Sequence, residues 1–388
     1  MRILHTAHSY APDISGVAEV VGQVSKRLAM KGHEVWVAAA RPRNALAEEV
    51  VEGVNVVRFA ISGNLACGMS GEIELYRKFV LGKNWDLLVM HCAQTWSTDA
   101  LLPVLGQLSR PFVLASHGLS AWGNPAFTPY FEKLAVALRG ASAVVSLSVL
   151  LEENAFCSRY GLPNPHIISN GVNLSEWAAD SSGLRNRWGV GSRPWLLSVG
   201  NHSSVKGHDR FYRLSQALRK QHHDVLCTII GGSHPAARWG LGRLGIPGGC
   251  WLSCRFQSLV APVELRTNVP RGDVVAAIKE ASVVAITSRR EACPLVAIEA
   301  MAAGTPWVSF DVGNVRENAG GFVVHNEQEM MEKVLLLLAN CGLRRELGEA
   351  GRRRAQDRHD WDKIVSQYEQ VYMTAISGQT PAGAGRRV

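Results

Sequence analysis

Two rhythms of apolar residues alternate along this chain. One is a short run of consecutive apolar positions, the mark of a strand buried on both faces. The other spaces apolar residues three and four apart, the mark of a helix with one face on a core. Arg2 to His8 reads as a strand. Val17 to Lys31 reads as a helix, with Val17, Val20, Val21, Val24 and Leu28 on one face and Gly32 as its stop. Further strands are expected at Glu34 to Ala40, Asn55 to Phe59, Asp86 to His91, Phe112 to His117, Ala143 to Leu147 and His166 to Ser169. Leu174 to Arg193 breaks the rhythm with clustered Ser, Gly, Asp and Asn and reads as a linker. A second alternation begins at Pro194 to Gly200 and continues with strands at Leu226 to Gly231, Trp251 to Phe256, Val283 to Thr287 and Trp307 to Phe310. The chain is helical after Met330, and Trp361 to Ile376 is the last helix. Strands alternating with helices predict α/β architecture: two doubly wound, Rossmann-like domains facing a central cleft, with ligands at the carboxyl ends of the strands. The expected divisions are 1–178, 179–360, a terminal helix over 361–377 and a disordered Gly/Pro/Arg-rich tail over 378–388.

Composition narrows the setting. With 47% hydrophobic and 19% charged residues in 388, there is material for two ordinary cores. The net charge of +8 is unevenly spread: residues 1–170 hold 14 basic and 13 acidic side chains, and the remaining 27 and 20 lie beyond. A basic second half suits a phosphorylated ligand, nucleic acid or an anionic membrane. No nucleic-acid module is recognisable, and Arg344-Arg345 and Arg352-Arg353-Arg354 read as a solvated helix face. The start of the chain is a strand and not a secretory leader, and no apolar run is long enough to span a bilayer. Eight scattered cysteines suit reduced thiols, so a cytoplasmic protein is expected. Cys250 and Cys254 flank Trp251-Leu252-Ser253 with histidines nearby in sequence, but the spacing is not a clean zinc pattern, and no metal site is expected.

The richest chemistry lies in Arg289-Arg290-Glu291-Ala292-Cys293-Pro294-Leu295-Val296-Ala297-Ile298-Glu299-Ala300-Met301-Ala302-Ala303-Gly304-Thr305-Pro306. Glu291 and Glu299 stand eight positions apart, one on a loop and one on a helix. Pro294 at the first helical position leaves the first-turn amides pointing outward, where they suit a phosphate or diphosphate. A loop carboxylate can accept hydrogen bonds from sugar hydroxyls, and one on the helix can do so for a ribose. On spacing alone, a strand end and an ordinary polar-face residue explain the two acids equally well.

This segment resembles the E-x7-E signature of the retaining glycosyltransferases of family 4, whose fold is GT-B. The resemblance implies a sugar transfer from a nucleotide-diphosphate sugar to a glycan or lipid-linked acceptor, in bacterial cell-surface polysaccharide synthesis, with no cofactor and no metal. It implies a last helix that crosses back to the first domain. Glu291 would hold sugar hydroxyls and Glu299 the ribose, while the amides around Cys293, Pro294, Leu295 and Val296 would meet the leaving diphosphate.

Other segments extend the resemblance. Ser15-Gly16 follows the first strand where the family usually has two glycines, and Gly16 would lie near the diphosphate. His117, in Ala115-Ser116-His117-Gly118, matches a histidine that lines the donor sugar. Asn170-Gly171-Val172-Asn173 matches a stretch before the linker, and as a turn pair Asn170-Gly171 needs no further role. In Gly200-Asn201-His202-Ser203-Ser204-Val205-Lys206-Gly207, Lys206 matches the lysine that neutralises the diphosphate. Asn201 stands where the family has an arginine, so His202, Arg289 or Arg290 becomes the candidate replacement. Gly231 belongs to a loop near the nucleotide and Val269 to a region bordering the base. Acceptor choice would fall to Ile61 to Glu74 and Leu119 to Thr128.

Two other readings stay open: a nucleotide-sugar epimerase of the same fold, and a non-catalytic sugar-nucleotide binding protein. For partners the expectation is a nucleotide sugar and an acceptor, without nucleic acid. Lys26, Arg27, Lys31, Arg77, Lys78 and Lys83 form basic clusters in the first half. They read either as a peripheral contact with anionic membrane at its inner face or as solvated faces.

Overall fold

The structure, a computed structural model, describes residues 1–42, 45–178, 183–221, 224–232, 250–261 and 263–378. The chain divides into two compact units, Met1–Asn170 with Trp361–Val388, and Gly171–Asp360. Ser233, residues 179–182 of the expected linker and residues 379–388 of the tail lie outside the described residues.

The first unit holds strands β1 (Arg2–Thr6), β2 (Glu34–Ala40), β3 (Glu48–Val51), β4 (Val54–Phe59), β5 (Ile61–Asn64), β6 (Gly68–Gly71), β7 (Leu87–His91), β8 (Phe112–Ala115), β9 (Ala143–Ser146) and β10 (His166–Ile167). Its helices are α1 (Gly16–Met30), α2 (Ile73–Gly82), α3 (Trp96–Asp99), α4 (Thr128–Leu138) and α5 (Glu152–Tyr160). Eight strands pair in the order β10-β9-β8-β7-β1-β2-β4-β3, all parallel except the edge strand β3. The buried apolar runs explain this: β7, β8 and β9 show no exposed side chain, as a sheet covered on both faces requires. The strand order reverses about β1, whose parallel neighbours β7 and β2 lie on either side. The segment Ile61 to Glu74 forms the small hairpin β5–β6 and the start of α2.

The second unit holds β11 (Trp195–Val199), β12 (Leu226–Gly231), β13 (Val263–Thr267), β14 (Val283–Ile286), β15 (Trp307–Phe310) and β16 (Gly321–Val324). Its helices are α6 (Leu174–Ala178), α7 (Leu184–Arg187), α8 (His208–Arg219), α9 (Trp251–Val260), α10 (Arg271–Glu280), α11 (Leu295–Ala303), α12 (Glu327–Ala339) and α13 (Cys341–Arg358). The sheet is parallel throughout, in the order β13-β12-β11-β14-β15-β16. Its switch point lies between β11 and β14, so the loops after these two strands face a common crevice. Helix α11 lies close to α13 because Gly348 meets the Gly304 carbonyl; a Cβ on Gly348 would stand 2.1 Å from that oxygen.

Helix α14 (Trp361–Ser377) packs on the first unit, where Ile364, Val365, Tyr368 and Tyr372 are buried. Ion pairs tie it to α1 and the following turn: Arg27 to Asp362 at 2.8 Å, Lys31 to Glu369 at 2.5 Å and His33 to Glu369 at 2.7 Å.

Three expectations need correction. Trp251 to Phe256 is the start of helix α9 and not a strand. The run looked strand-like because it is aromatic and apolar, yet Leu252, Phe256 and Leu259 are exposed and Cys254 is buried. The strand of that region is β13, which starts twelve residues after Trp251. The division between units falls after Asn170 and not after residue 178. The reason is local: the Val172 amide donates to the His359 carbonyl at 2.6 Å, and Glu176 on α6 pairs with Arg271 on α10. The remaining strand of the expected His166 to Ser169 is only two residues long.

Candidate active site

In the second unit, the β11 and β14 loops bring Lys206 and Glu291 together. Lys206 ends a single 3-10 turn, Ser204–Lys206, that closes on Gly207. Gly207 has φ +64 and packs so tightly that a Cβ would stand 2.1 Å from the Thr287 carbonyl. The Thr287 hydroxyl in turn donates to the Lys206 carbonyl at 3.2 Å. The two loops are thereby laced together, and the Lys206 ammonium reaches Glu291 Oε1 at 2.7 Å. The same oxygen accepts from the Ser288 hydroxyl at 2.6 Å. The Glu291 side chain is 13% exposed and that of Lys206 30%, so the pair stays accessible without being fully solvated.

Pro294 caps α11 from outside, with ψ 112, instead of opening it. The Ala297 amide bonds back to the Pro294 carbonyl at 3.0 Å, while those of Leu295 and Val296 make no hydrogen bond among the described residues. Two donors at a helix N-terminus thus remain for an anion. The loop before them is braced from behind: the Asn314 amide donates to the Ala292 carbonyl at 3.0 Å, and Cys293 is buried. One helical stretch later, Glu299 accepts from Arg271 at 2.5 Å, and Arg271 also makes a two-pronged contact with Glu176 at 2.8 and 2.9 Å. Val269 directly precedes the Pro270 cap of α10 and lies just before this arginine.

Asn201 receives the Gly232 amide on Oδ1 at 3.2 Å, which ties the β11 loop to the end of β12. Gly231 at that end has no room for a side chain, since a Cβ would lie 2.4 Å from the Gly200 carbonyl. Among the candidates to replace the missing arginine, Arg289 is committed to Asp209 at 2.6 and 2.8 Å and to the Ser204 carbonyl. That contact, with help from Arg213, holds the Asp209 carboxyl down to about 2. Arg290 is exposed and makes no hydrogen bond or ion pair among the described residues. His202 is buried in a cluster with His208, Cys250 and Cys254.

In the first unit, His117 follows β8 in the left-handed region at φ +55. Buried Glu153 on α5 fixes this turn by accepting from the Ser116 hydroxyl at 2.5 Å and the Gly118 amide at 2.8 Å. His117 bonds to His91 at 2.9 Å, and His91 bonds to His5 at 2.9 Å, so three imidazoles run from the end of β8 into the core. Burial lowers His5 to about 3 and, with the nearby His8, His117 to about 4, so all three stay neutral at ordinary pH. Gly16 opens α1 behind Ser15, whose hydroxyl caps the helix by accepting from the Ala18 amide at 3.1 Å. The serine therefore does the capping that a second glycine could not.

Ser288, Arg271 and Glu176 around the acids, and His5, His91 and Glu153 behind His117, were not singled out from sequence. Ser288 lies in the same loop as Glu291, three residues before it, where a serine carries no distinctive signal; the others sit in strands or helices with ordinary local patterns, and only the tertiary fold brings them together.

Comparison with known proteins identifies the family and the fold. Residues 14–176 match the family model described as Glycosyltransferase Family 4, and residues 184–354 that described as Glycosyl transferases group 1. The chain is 32% identical over 431 residues to a D-inositol 3-phosphate glycosyltransferase of Corynebacterium aurimucosum, covering all of this chain and 98% of the relative. It is 24% identical over 418 residues to a glycogen synthase of Mycobacterium tuberculosis, covering 98% and 96%. Among solved structures it is similar to sucrose-phosphate synthase from Thermosynechococcus elongatus, with TM-score 0.78, 20% identity and coverage of 98% and 100%. It is also similar to HepE of Anabaena in complex with UDP-glucose, with TM-score 0.72, 18% identity and coverage of 96% and 100%. The chain belongs to the family 4 glycosyltransferases of GT-B fold.

Proposed function

We propose that this glycosyltransferase moves a sugar from a nucleotide-diphosphate sugar to a glycan or lipid-linked acceptor, with retention at the anomeric carbon, in bacterial cell-surface polysaccharide synthesis. The observation that carries the reading is the Lys206–Glu291 pair at the switch point of the second sheet, beside the two free amides of α11. The Anabaena relative, whose crystals hold UDP-glucose, supports a nucleotide sugar as donor.

In this mechanism the C–O bond from the anomeric carbon to the diphosphate breaks with the electron pair leaving on oxygen. Lys206 and the Leu295 and Val296 amides stabilise that charge as it develops, and being already in place they need no reorganisation. The acceptor hydroxyl attacks from the same face as an oxocarbenium-like sugar forms, and its proton passes to the departing diphosphate oxygen. Glu291, fixed by Lys206 and Ser288, holds sugar hydroxyls. Glu299 takes the ribose with Arg271 as its fixed partner. Gly231, Asn201 and Val269 shape the surrounding loops of the second unit, and Arg290 is the candidate second cation for the diphosphate. A contact of His117 with the donor sugar is part of the same reading, tested by His117→Ala. No cofactor or divalent ion takes part in the transfer step.

A thermal-shift screen of nucleotide sugars identifies the donor, because a ligand of the folded state raises apparent stability. Donor turnover with that compound then decides the class. Transfer to an added acceptor with retained anomeric configuration supports the proposal. Interconversion of the free donor to its epimer would replace it with an epimerase, and binding without any turnover with a non-catalytic protein.

A further inference from the structure

We propose that His202, His208, Cys250 and Cys254 form a tetrahedral Cys2His2 metal site, that Zn²⁺ is its resident ion, and that the ion pins the loop bearing Lys206. The four side chains come from three places in the second unit. His202 lies in the loop after β11, and His208 is the first residue of α8. Cys250 caps α9 and Cys254 stands one turn along it. Their ligand atoms all lie within 4.8 Å of one another.

The separations match those that an ion would impose. Cys250 Sγ lies 3.8 Å from His202 Nδ1 and 3.4 Å from His208 Nδ1. Cys254 Sγ lies 3.6 Å from His208 Nδ1 and 3.6 Å from Cys250 Sγ. A tetrahedron with Zn–S of about 2.3 Å and Zn–N of about 2.0–2.1 Å has S–S edges of about 3.8 Å and S–N edges of about 3.6 Å. Hydrogen bonding alone explains these contacts less well. Cys250 faces three partners at once, although a thiol sulfur is only a weak donor and a weak acceptor. A central cation accounts for all four contacts at once.

The donor set selects the ion. Two sulfurs and two imidazole nitrogens favour Zn²⁺ over the oxygen-seeking Mg²⁺, Ca²⁺ and Mn²⁺. Four protein ligands leave no open position, so the site is structural and not catalytic. His202 and His208 are 5% and 2% exposed and Cys254 is 1% exposed, which shields the centre. A cavity of about 500 Å³, lined by Ser203, Asp209, Cys250, Cys254, Gln257 and Arg289, offers a route for the ion.

The position gives the ion its role. His202 precedes Lys206 by four residues and His208 follows it by two, so the metal would hold both ends of the loop against α9. This last step rests on Lys206 contacting the diphosphate; the metal site itself does not.

The test uses the full chain purified without chelator. Elemental analysis is expected to find about one zinc per chain. The Cys250→Ser/Cys254→Ser double variant should lose it, whereas Cys341→Ser, at an exposed thiol elsewhere, should keep it. Zinc-stripped wild type titrated with Co²⁺ should develop the intense visible bands of a tetrahedral thiolate site, displaced by Zn²⁺; this readout stands even if the double variant fails to fold. Zinc far below one per chain together with no such Co²⁺ spectrum would overturn the site. So would zinc retained in the folded double variant, or an intact mass showing a Cys250–Cys254 disulfide in the purified protein. Stripping zinc should also weaken UDP binding severalfold. Full zinc with unaltered UDP affinity on stripping would leave the metal site standing and remove its role at the loop.

Discussion

Replacing Lys206 with Met separates the catalytic part of the Lys206–Glu291 pair from its structural part. The Lys206 side chain is 30% exposed, so the ion pair itself contributes about 1 kcal/mol or less to stability. Once it is gone, Glu291 Oε1 keeps the Ser288 hydroxyl at 2.6 Å and is not orphaned. In a chain of this size, a loss of that order lowers the melting temperature by only a few degrees. The catalytic cost is larger. Removing one preorganised donor from a developing oxyanion costs about 10²–10³ in kcat, or about 2.7–4 kcal/mol. The assay measures kcat for donor turnover and the melting temperature of the same preparation. Lys206→Arg, which keeps the charge on a differently shaped group, should recover part of the loss. A Lys206→Met protein that melts normally and turns over within about threefold of wild type, under 1 kcal/mol in barrier, would refute the argument.

Glu291→Ala should abolish transfer while leaving the protein folded, whereas Glu299→Ala should mainly weaken nucleotide binding; separate kcat and nucleotide Kd measurements distinguish the two. Asn201→Arg should tighten nucleoside diphosphate binding by about 1.5–3 kcal/mol if the guanidinium is well desolvated, less the cost of the Gly232 amide it strands, and calorimetry would read unchanged affinity if Arg290 already fills that place. His5 and His117 stay neutral when folded, down to about 3 and about 4, so from about pH 6.5 downward the unfolded chain takes up protons that the folded one refuses. Stability should therefore fall with pH in that window, by about 1.4 kcal/mol per pH unit for each such histidine, and equal urea midpoints at pH 7 and pH 5 would contradict it. Transfer should proceed equally with and without added Mg²⁺ or Mn²⁺, and a rate that depends on either ion would place a metal in the chemical step.

How far the sequence could be read depended on whether a residue's partners were local. Lys206 and Glu291 were legible because each sits in a loop between a strand and a helix, where a parallel sheet gathers its chemistry. The pairing of the two was not, because it depends on β11 lying next to β14, with Leu196 in register with Val283, 87 residues away by way of two other strands. The basic residues of the first half show the same limit. Lys26 pairs with Glu52, Arg27 with Asp362, Lys31 with Glu369 and Arg77 with Glu74, while Lys83 lies 3.8 Å over the Trp36 ring. Only Lys78 of the six has no partner among the described residues, so most of the charge that suggested an anionic membrane serves the first unit's own packing. No helix among the described residues is long and apolar enough to cross a membrane.

The Cys/His cluster was hidden for a more specific reason. A zinc pattern is recognisable when its ligands come in close pairs with fixed gaps, because a short loop must wrap the ion. Here the gaps are six residues from His202 to His208, then 42 to Cys250 and four to Cys254. The last gap suits one helical turn, but only if Trp251 to Phe256 is a helix, and its aromatic character pointed to a strand. The first gap spans the loop that carries Lys206, where the family pattern draws attention to an arginine and a lysine and not to histidines. The departure at Asn201 and the histidine beside it concern one loop. In the proposed zinc site, two imidazoles of this loop would grip its own scaffold, while Asn201 offers no charge to a ligand. On that view Asn201→Arg and loss of the cysteines act on the same loop from opposite ends. Their effects on nucleotide affinity should then be non-additive, as expected for residues that share a segment of backbone.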